Sequence, residues 1–230
     1  IKYRLVSMDY FSDKPIDLGE LITYSKNSDL VYIDNPNNPS GRILVKPKEI
    51  EELVIETRGK PIIVIDEAYY EFSKVTAAPL IESYDNLIVL RTFSKAWALA
   101  GLRIGYALAG KRALKAFYGM QYRVSLPALA GAIKALENPS YMYRIVKRII
   151  DERERLRRKI RVLGLKTPQS SANYLLIFTG IKNISSKLKH HGIYVKDYSH
   201  LSEGAIRVTI SNRRENRIFL NTLKEILLHS

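Results

Sequence analysis

Short apolar runs alternate with amphipathic stretches along the first half of the chain. Asp29 to Asp34 (DLVYID), Ile62 to Asp66 (IIVID) and Asn86 to Thr92 (NLIVLRT) are near-continuous in apolar, mostly β-branched residues. That is the signature of parallel strands covered on both faces. Between the first two, VKPKEIEELVIETRG sets Ile50, Leu53, Val54 and Thr57 on one helical face, with Gly59 as the stop. RIGYALA (Arg103 to Ala109) reads as a fourth strand opened by Arg103. Its connection is too short for a crossover, so it should run antiparallel. The first residues, IKYRLVSMDYF, also read as extended, with Ile1 already inside a strand.

The rhythm changes in the second half. Pro127 to Leu136 reads as a helix that ENPSY (Glu137 to Tyr141) breaks, and a long charged helix follows from about Tyr141 to Leu163. Beyond it come SANYLLIF, a helix around Ile184 to His191, IYVKD, AIRVTI and a last helix. Ser211 or Asn212 starts that helix, with Glu215 placed to complete a capping box. The fold class is α/β, with a mostly parallel sheet in residues 1–140 and a connector helix plus a small α+β unit in residues 141–230.

Composition narrows the partners. No apolar run approaches the length of a bilayer span, and the first residues lack the basic and apolar segments of a secretory signal. Without cysteine there is neither disulfide nor thiol nucleophile. A cytoplasmic protein that enters no membrane is expected. The net charge of +14 raises nucleic acid as a partner. However, the cations are spread along amphipathic stretches such as RIVKRIIDERERLRRKIRVLG (Arg144 to Gly164) and read as solvated helix faces rather than a nucleic-acid track. His190 and His191 diverge on their helix and suggest no third ligand, so no metal is expected. Tyr3, Tyr10 and Tyr24 read as packing residues.

The chemistry begins at KPIIVIDEAYYEF (Lys60 to Phe72), where an apolar strand runs into Asp66 and Glu67. A buried strand that ends on an acid holds a charge partner there, and two chemistries use one. The acid positions Mg²⁺ in a nucleotide hydrolase, or it grips the pyridinium nitrogen of pyridoxal phosphate. The first needs a phosphate loop of the form G-x-x-x-x-G-K-[ST], and the 12 glycines supply neither that nor G-x-G-x-x-G. The second finds its companion in RTFSKAWALAGLRIGYA (Arg91 to Ala107). At the carboxyl edge of a parallel sheet Lys95 can reach a ligand in the crevice, while Ser94 and Arg103 suit a phosphate. Asp66 and Lys95 close neighbouring strands, and NPNNPSG (Asn35 to Gly41) adds an amide and a tight turn at the end of a third. Singly, each residue has a plainer reading: Asp66 as a turn cap, Ser94 and Lys95 as surface, Arg207 as the partner of a neighbouring acid.

Taken in order, NPNNPSG, DEAYYEF and RTFSKAWALAGLRIGYA resemble the fold type I pyridoxal-phosphate-dependent aminotransferases of the class I/II group, and within it the histidinol-phosphate aminotransferase family. AIRVTISNRREN resembles that family's C-terminal arginine motif, so the likeness runs through the whole chain. The resemblance implies an aspartate-aminotransferase-like fold, a homodimer, and transamination between L-histidinol phosphate and 2-oxoglutarate in histidine biosynthesis. It implies Lys95 as the Schiff-base lysine that also moves the proton between Cα and C4′. It implies Asp66 on the ring nitrogen, Asn38 and Tyr69 on the ring 3-oxygen, Ser94 and Arg103 on the phosphate, and Arg207 on the substrate α-carboxylate.

Two departures qualify the resemblance. The family's N-terminal portion, which carries a Gly/Ser phosphate loop, a stacking aromatic and a tyrosine that crosses the dimer, has no counterpart in this sequence, so weak cofactor binding or inactivity is expected of the chain alone. GIYVKD also places Lys196 where the family has an arginine for the substrate phosphate, which keeps the charge but not the planar fork. YSHLSEG resembles the related threonine-phosphate decarboxylases, whereas DEAYYEF and TFSKAWALAGLR side with the aminotransferases. The alternatives are therefore a threonine-phosphate decarboxylase or aromatic amino-acid aminotransferase, a Mg-nucleotide hydrolase, and a non-catalytic basic binding fragment.

Overall fold

The computed structural model describes residues 2–119 and 124–229, so the expectation for Ile1 lies outside the described residues. In chain order the elements are α1 (Leu18–Ser25), β1 (Leu30–Asp34), α2 (Pro47–Glu56), β2 (Ile62–Asp66), α3 (Tyr70–Ser73), β3 (Leu87–Thr92), β4 (Gly105–Ala109), α4 (Lys111–Leu114), α5 (Leu126–Glu137), α6 (Pro139–Val162), β5 (Tyr174–Phe178), α7 (Ile184–His190), β6 (Lys196–Asp197), β7 (Ala205–Thr209) and α8 (Arg213–Leu228).

The three apolar runs pair as expected. β1, β2 and β3 are parallel neighbours, and β4 closes the four-stranded sheet antiparallel to β3. On one face Leu21 and Ile22 of α1 and Ile50, Leu53 and Val54 of α2 pack against Val31, Ile33, Ile63, Ile65, Leu87 and Val89. Fully burying one such aliphatic side chain is worth about 1.5–3 kcal/mol, which is why the apolar stripe of α2 fixes where it lies. The other face is covered less evenly: Val64, Ile88 and Ala113 are buried together, whereas Leu30 and Tyr32 are more than half exposed. A second, antiparallel sheet has the order β5-β7-β6. Its core joins Leu175, Ile177, Ile206 and Val208 to Leu156 and Ile160 of α6, Ile184 and Leu188 of α7, and Phe219 and Leu223 of α8.

Several expectations need correction. Residues 2–7 lie in no strand; Met8 makes one isolated bridge, to Ile16. An alternating pattern forms a strand only where a ladder partner exists, and here the partner is a short loop returning on itself. Arg103 does not open β4. It ends the 3₁₀ turn Ala100–Leu102 in the left-handed region at φ 52°, and β4 starts at Gly105, where a side chain would meet the Arg91 carbonyl. ENPSY breaks the helix only at Asn138, because Pro139 suits the first turn of α6. The strand in IYVKD shrinks to Lys196–Asp197. The helix α1, for which only the Asp17 cap spoke, was not foreseen; Asp17 accepts from the Gly19 and Glu20 amides. The cap of α8 is Asn212, which accepts from the Glu215 amide, while the Glu215 carboxylate takes the Ser211 hydroxyl. Arg153 is buried rather than solvated and donates to the Ala172 carbonyl at 2.8 Å. Tyr10 packs on Phe178, but Tyr3 is 78% exposed and packs on little.

The turn after β1 is where the two sheets meet. Ser171 N–H donates to the Gly41 carbonyl at 2.6 Å, and the Tyr174 hydroxyl donates to the Asn37 carbonyl at 2.8 Å. Gly41 has φ 73°, and a Cβ there would lie 2.1 Å from Ser170 Oγ. Gly41→Ala should therefore lower stability by at least about 2 kcal/mol, from the left-handed backbone and the clash together. Ser170→Gly in the same chain should recover part of the loss, read as the denaturant midpoint. No recovery would mean that backbone strain alone carries the cost.

Candidate active site

The carboxyl ends of β1 and β2 place two acids side by side, since Asp34 and Asp66 are register partners. The Asp34 carboxylate accepts from the Asn37 side chain at 2.9 Å and the Asn38 amide at 2.8 Å, which folds NPNNPSG into a compact turn. Burial pushes the Asp34 carboxyl above the usual carboxylate range, and those two donors pull against it. Asn35 is spent on the same turn, bonding the Val45 carbonyl and the Leu44 amide at 2.8 Å each. Asn38 is free to look outward. Its Oδ1 accepts from Arg207 Nη1 at 2.5 Å and from the Tyr198 hydroxyl at 3.3 Å, so its Nδ2 is the end left to donate.

Beyond β2, Asp66 Oδ1 accepts from the Ala68 amide at 3.0 Å, and Oδ2 accepts from the Tyr32 hydroxyl of the neighbouring strand. The next turn carries two acids that hold β3 and the loop after it. Glu67, with a fully buried side chain, accepts from Arg91 Nε and Nη2 at 3.1 and 3.0 Å, from Thr76 Oγ1 at 2.8 Å and from the Ala77 amide at 2.6 Å. The Arg91 guanidinium also lies 3.5 Å from the centre of the Tyr70 ring. Glu71 accepts from the Trp97 indole N–H at 2.9 Å. Burial raises both carboxyls above their usual range, against the pull of these donors.

Lys95 lies between the two anchored residues, in a loop tightened by the Ser94 amide on Thr92 Oγ1 and the Leu99 amide on the Phe93 carbonyl. Its ammonium is exposed, sits 5.6 Å from the centre of the Tyr69 ring, and makes no ion pair among the described residues. Tyr69 is 8% exposed and meets Tyr174 edge-on at 5.1 Å. The Arg207 guanidinium lies over the Tyr174 ring at 4.9 Å and the Tyr198 ring at 5.8 Å. Desolvation raises the Tyr69 and Tyr174 phenols, and the Arg207 charge opposes it. Arg207 Nε is buried with no hydrogen-bond partner, alone in that state among the described side chains.

The sequence candidates thus divide. Asn38, Tyr69, Lys95 and Arg207 are joined by direct contacts through Tyr174, and Asp66 acts electrostatically on Tyr69. Lys196 faces Arg207 across the β6–β7 ladder. Ser94 shares the Lys95 loop, whereas among the described residues the Arg103 guanidinium bonds its own turn, at the Ala100 carbonyl. Arg207 pairs with an amide rather than an acid. Tyr32, Tyr174 and Tyr198 escaped the sequence reading, as did Glu67 and Glu71. The two glutamates had a signal, being acids four positions apart in an apolar segment. Among the described residues no three metal-ligating side chains cluster, and no helix is long and apolar enough to cross a membrane.

The sequence profile of the family described as "Aminotransferase class I and II" matches residues 1–223. Histidinol-phosphate aminotransferase of Thermococcus gammatolerans is 40% identical over 224 residues, which take in 96% of this chain and 63% of that protein. Histidinol-phosphate aminotransferase 1 of Carboxydothermus hydrogenoformans is 38% identical over 228 residues, covering 96% and 64%. Among solved structures, histidinol-phosphate aminotransferase from Sinorhizobium meliloti in complex with pyridoxal-5′-phosphate superposes with a TM-score of 0.84 at 29% identity, over 95% of this chain and 63% of that one. The chain therefore spans under two thirds of the length of these relatives.

The raised Glu71 carboxyl gives a signed pH dependence. The folded state holds the Glu71 proton more tightly than the unfolded state, so its favourable contribution is present at low pH and fades as pH rises through the raised value. Glu71→Gln keeps an acceptor for Trp97 but does not titrate. The Tm of the variant minus that of the parent should climb as pH rises from about 4 and then level off. A flat difference would show that Glu71 titrates alike in the folded and unfolded chains.

Proposed function

The chain belongs to the aminotransferase class I and II family, and from that membership we propose that it carries the cofactor- and substrate-binding chemistry of a pyridoxal-phosphate-dependent aminotransferase. One observation carries the reading. Asn38, Tyr69, Lys95 and Arg207 are drawn together from two sheets, and Arg207 Nε is a buried donor with no hydrogen-bond partner.

The donor set fits pyridoxal phosphate. Asp66 offers a carboxylate for the ring nitrogen, and Asn38 Nδ2 and the Tyr69 hydroxyl offer donors for the ring oxygen. Lys95 offers an amine for the aldehyde, and Ser94 with Arg103 offers a hydroxyl and a guanidinium for the phosphate. When bound, that group supplies an electron sink for the pair left behind as the substrate Cα loses its proton. The rest falls to side chains of this chain. With the cofactor bound, Asp66 would accept from the ring N–H, and Lys95 would take the proton from the substrate Cα and hand it on. Anchored by Glu67 and Glu71 on either side, the Lys95 loop delivers the amine from a fixed direction. Arg207 and Lys196 stand opposite each other on one face of the small sheet, a cationic pair for a carboxylate or a phosphate.

The names of the relatives support L-histidinol phosphate as amino donor; 2-oxoglutarate as acceptor, a place in histidine biosynthesis and a cytoplasmic location are what the family resemblance implies. Donor and acceptor each present an anionic group suited to the Arg207 and Lys196 pair. We take residues 1–140 and 141–230 as the two units of the fold, and a homodimer as the working state. Along α5, Leu126, Leu129, Ile133 and Leu136 form an exposed apolar stripe consistent with such an interface.

Pyridoxal phosphate added to the chain, followed by borohydride and peptide mapping, should label Lys95, and Lys95→Ala should lose both the label and the visible absorption band. In transamination the same change should cost at least about a thousandfold. Labelling spread over surface lysines would sink the reading. Turnover of threonine phosphate or aromatic amines above that of histidinol phosphate would leave the cofactor and move the substrate.

A further inference from the structure

Tyr32 stands outside the roles assigned so far, yet its hydroxyl is committed to the most important acid of the site. It lies two residues before Asp34 on β1 and so points to the same face of the sheet. Asp34 and Asp66 are in register, which makes Tyr32 a diagonal neighbour of Asp66, a separation that an aromatic side chain can bridge. The ring itself is 56% exposed and contributes little burial. What the position uses is the hydroxyl.

We infer that Tyr32 is a positioning residue: by donating from β1 to Asp66 Oδ2, it fixes the orientation of the carboxylate that receives the ring N–H of the cofactor. The inference rests on the proposed cofactor reading. The Ala68 amide holds Oδ1 and Tyr32 holds Oδ2, so each oxygen has one protein donor and the carboxylate plane cannot turn freely. One lone pair on each oxygen stays available for a further donor. Tyr32 remains a donor throughout the working range: desolvation of its hydroxyl end, the hydrogen bond to Asp66, and then the Asp66 and Asp34 charges push the phenol well above the ordinary value. Asp34 does not compete for the role, since its carboxylate is taken by Asn37 and Asn38.

Tyr32→Phe removes one oxygen from a half-exposed ring and leaves the strand intact, so folding is not at stake. Binding is read from quenching of Trp97, the single tryptophan of the chain, with two probes: pyridoxal phosphate and its analogue bearing C–H in place of the ring nitrogen. Tyr32→Phe should weaken pyridoxal phosphate about five- to tenfold, leave the analogue unchanged, and have no further effect in an Asp66→Asn background. Equal weakening of both probes, or none of either, would overturn the role of Tyr32 while a Lys95-specific band in the parent chain keeps the cofactor reading standing. Absence of that band in the parent chain would overturn both.

Discussion

The grip of two buried glutamates on the segment that follows β2 is the constraint on which the site depends. Glu67 holds Arg91 before Lys95, and Glu71 holds Trp97 after it. An amine on a loop is only as well placed as the loop, and loops are held by few bonds. Here two bonds come from one turn, and that turn follows directly from Asp66. The acid at the end of β2 and the amine after β3 are therefore positioned by the same short piece of chain. Removing water from a carboxylate is costly, and both glutamates are nearly inaccessible, so each must keep its donors. A glutamate left without its partner would be an uncompensated buried charge, which is more disruptive than the loss of the bond itself.

The second organising contact joins the two sheets. Asn38 is turned so that its oxygen meets Arg207 and Tyr198, which decides the direction of its amide nitrogen. The turn that carries Asn38 is shaped by Asp34, pressed against Ser170 at Gly41, and tied to Tyr174 through Asn37. The small sheet and the aim of a large-sheet side chain are thus tied through one turn. That arrangement explains why so many turn residues, each unremarkable alone, are needed in a fixed order.

The parallel strands were legible because an apolar, β-branched run needs no context to read. The helix α2 was legible from its stripe, and the reversal of β4 from the length of its connection. Residues 2–7 were misread for the opposite reason, as an extended stretch becomes a strand only if another strand is free to pair. In the site, Asp66, Lys95 and Asn38 were readable because they sit where strands end and were carried by a motif resemblance. Tyr174 and Tyr198 were not, because their partners lie 137 and 160 positions away, and no local pattern encodes such an apposition. Arg103 was named by its motif, whereas its left-handed backbone and the bond from its guanidinium to the Ala100 carbonyl had no local signal.

The lone Nε of Arg207 has a consequence for the economy of the whole fold. A buried donor without an acceptor costs on the order of 1–3 kcal/mol, a deficit that an anion of the right shape would relieve. Ligand occupancy and folding are then linked quantities: whatever satisfies Arg207 also shifts the balance between folded and unfolded chain. Under the role proposed for Arg207, the chain would be least durable when its anionic ligand is scarce, and its lifetime would follow supply.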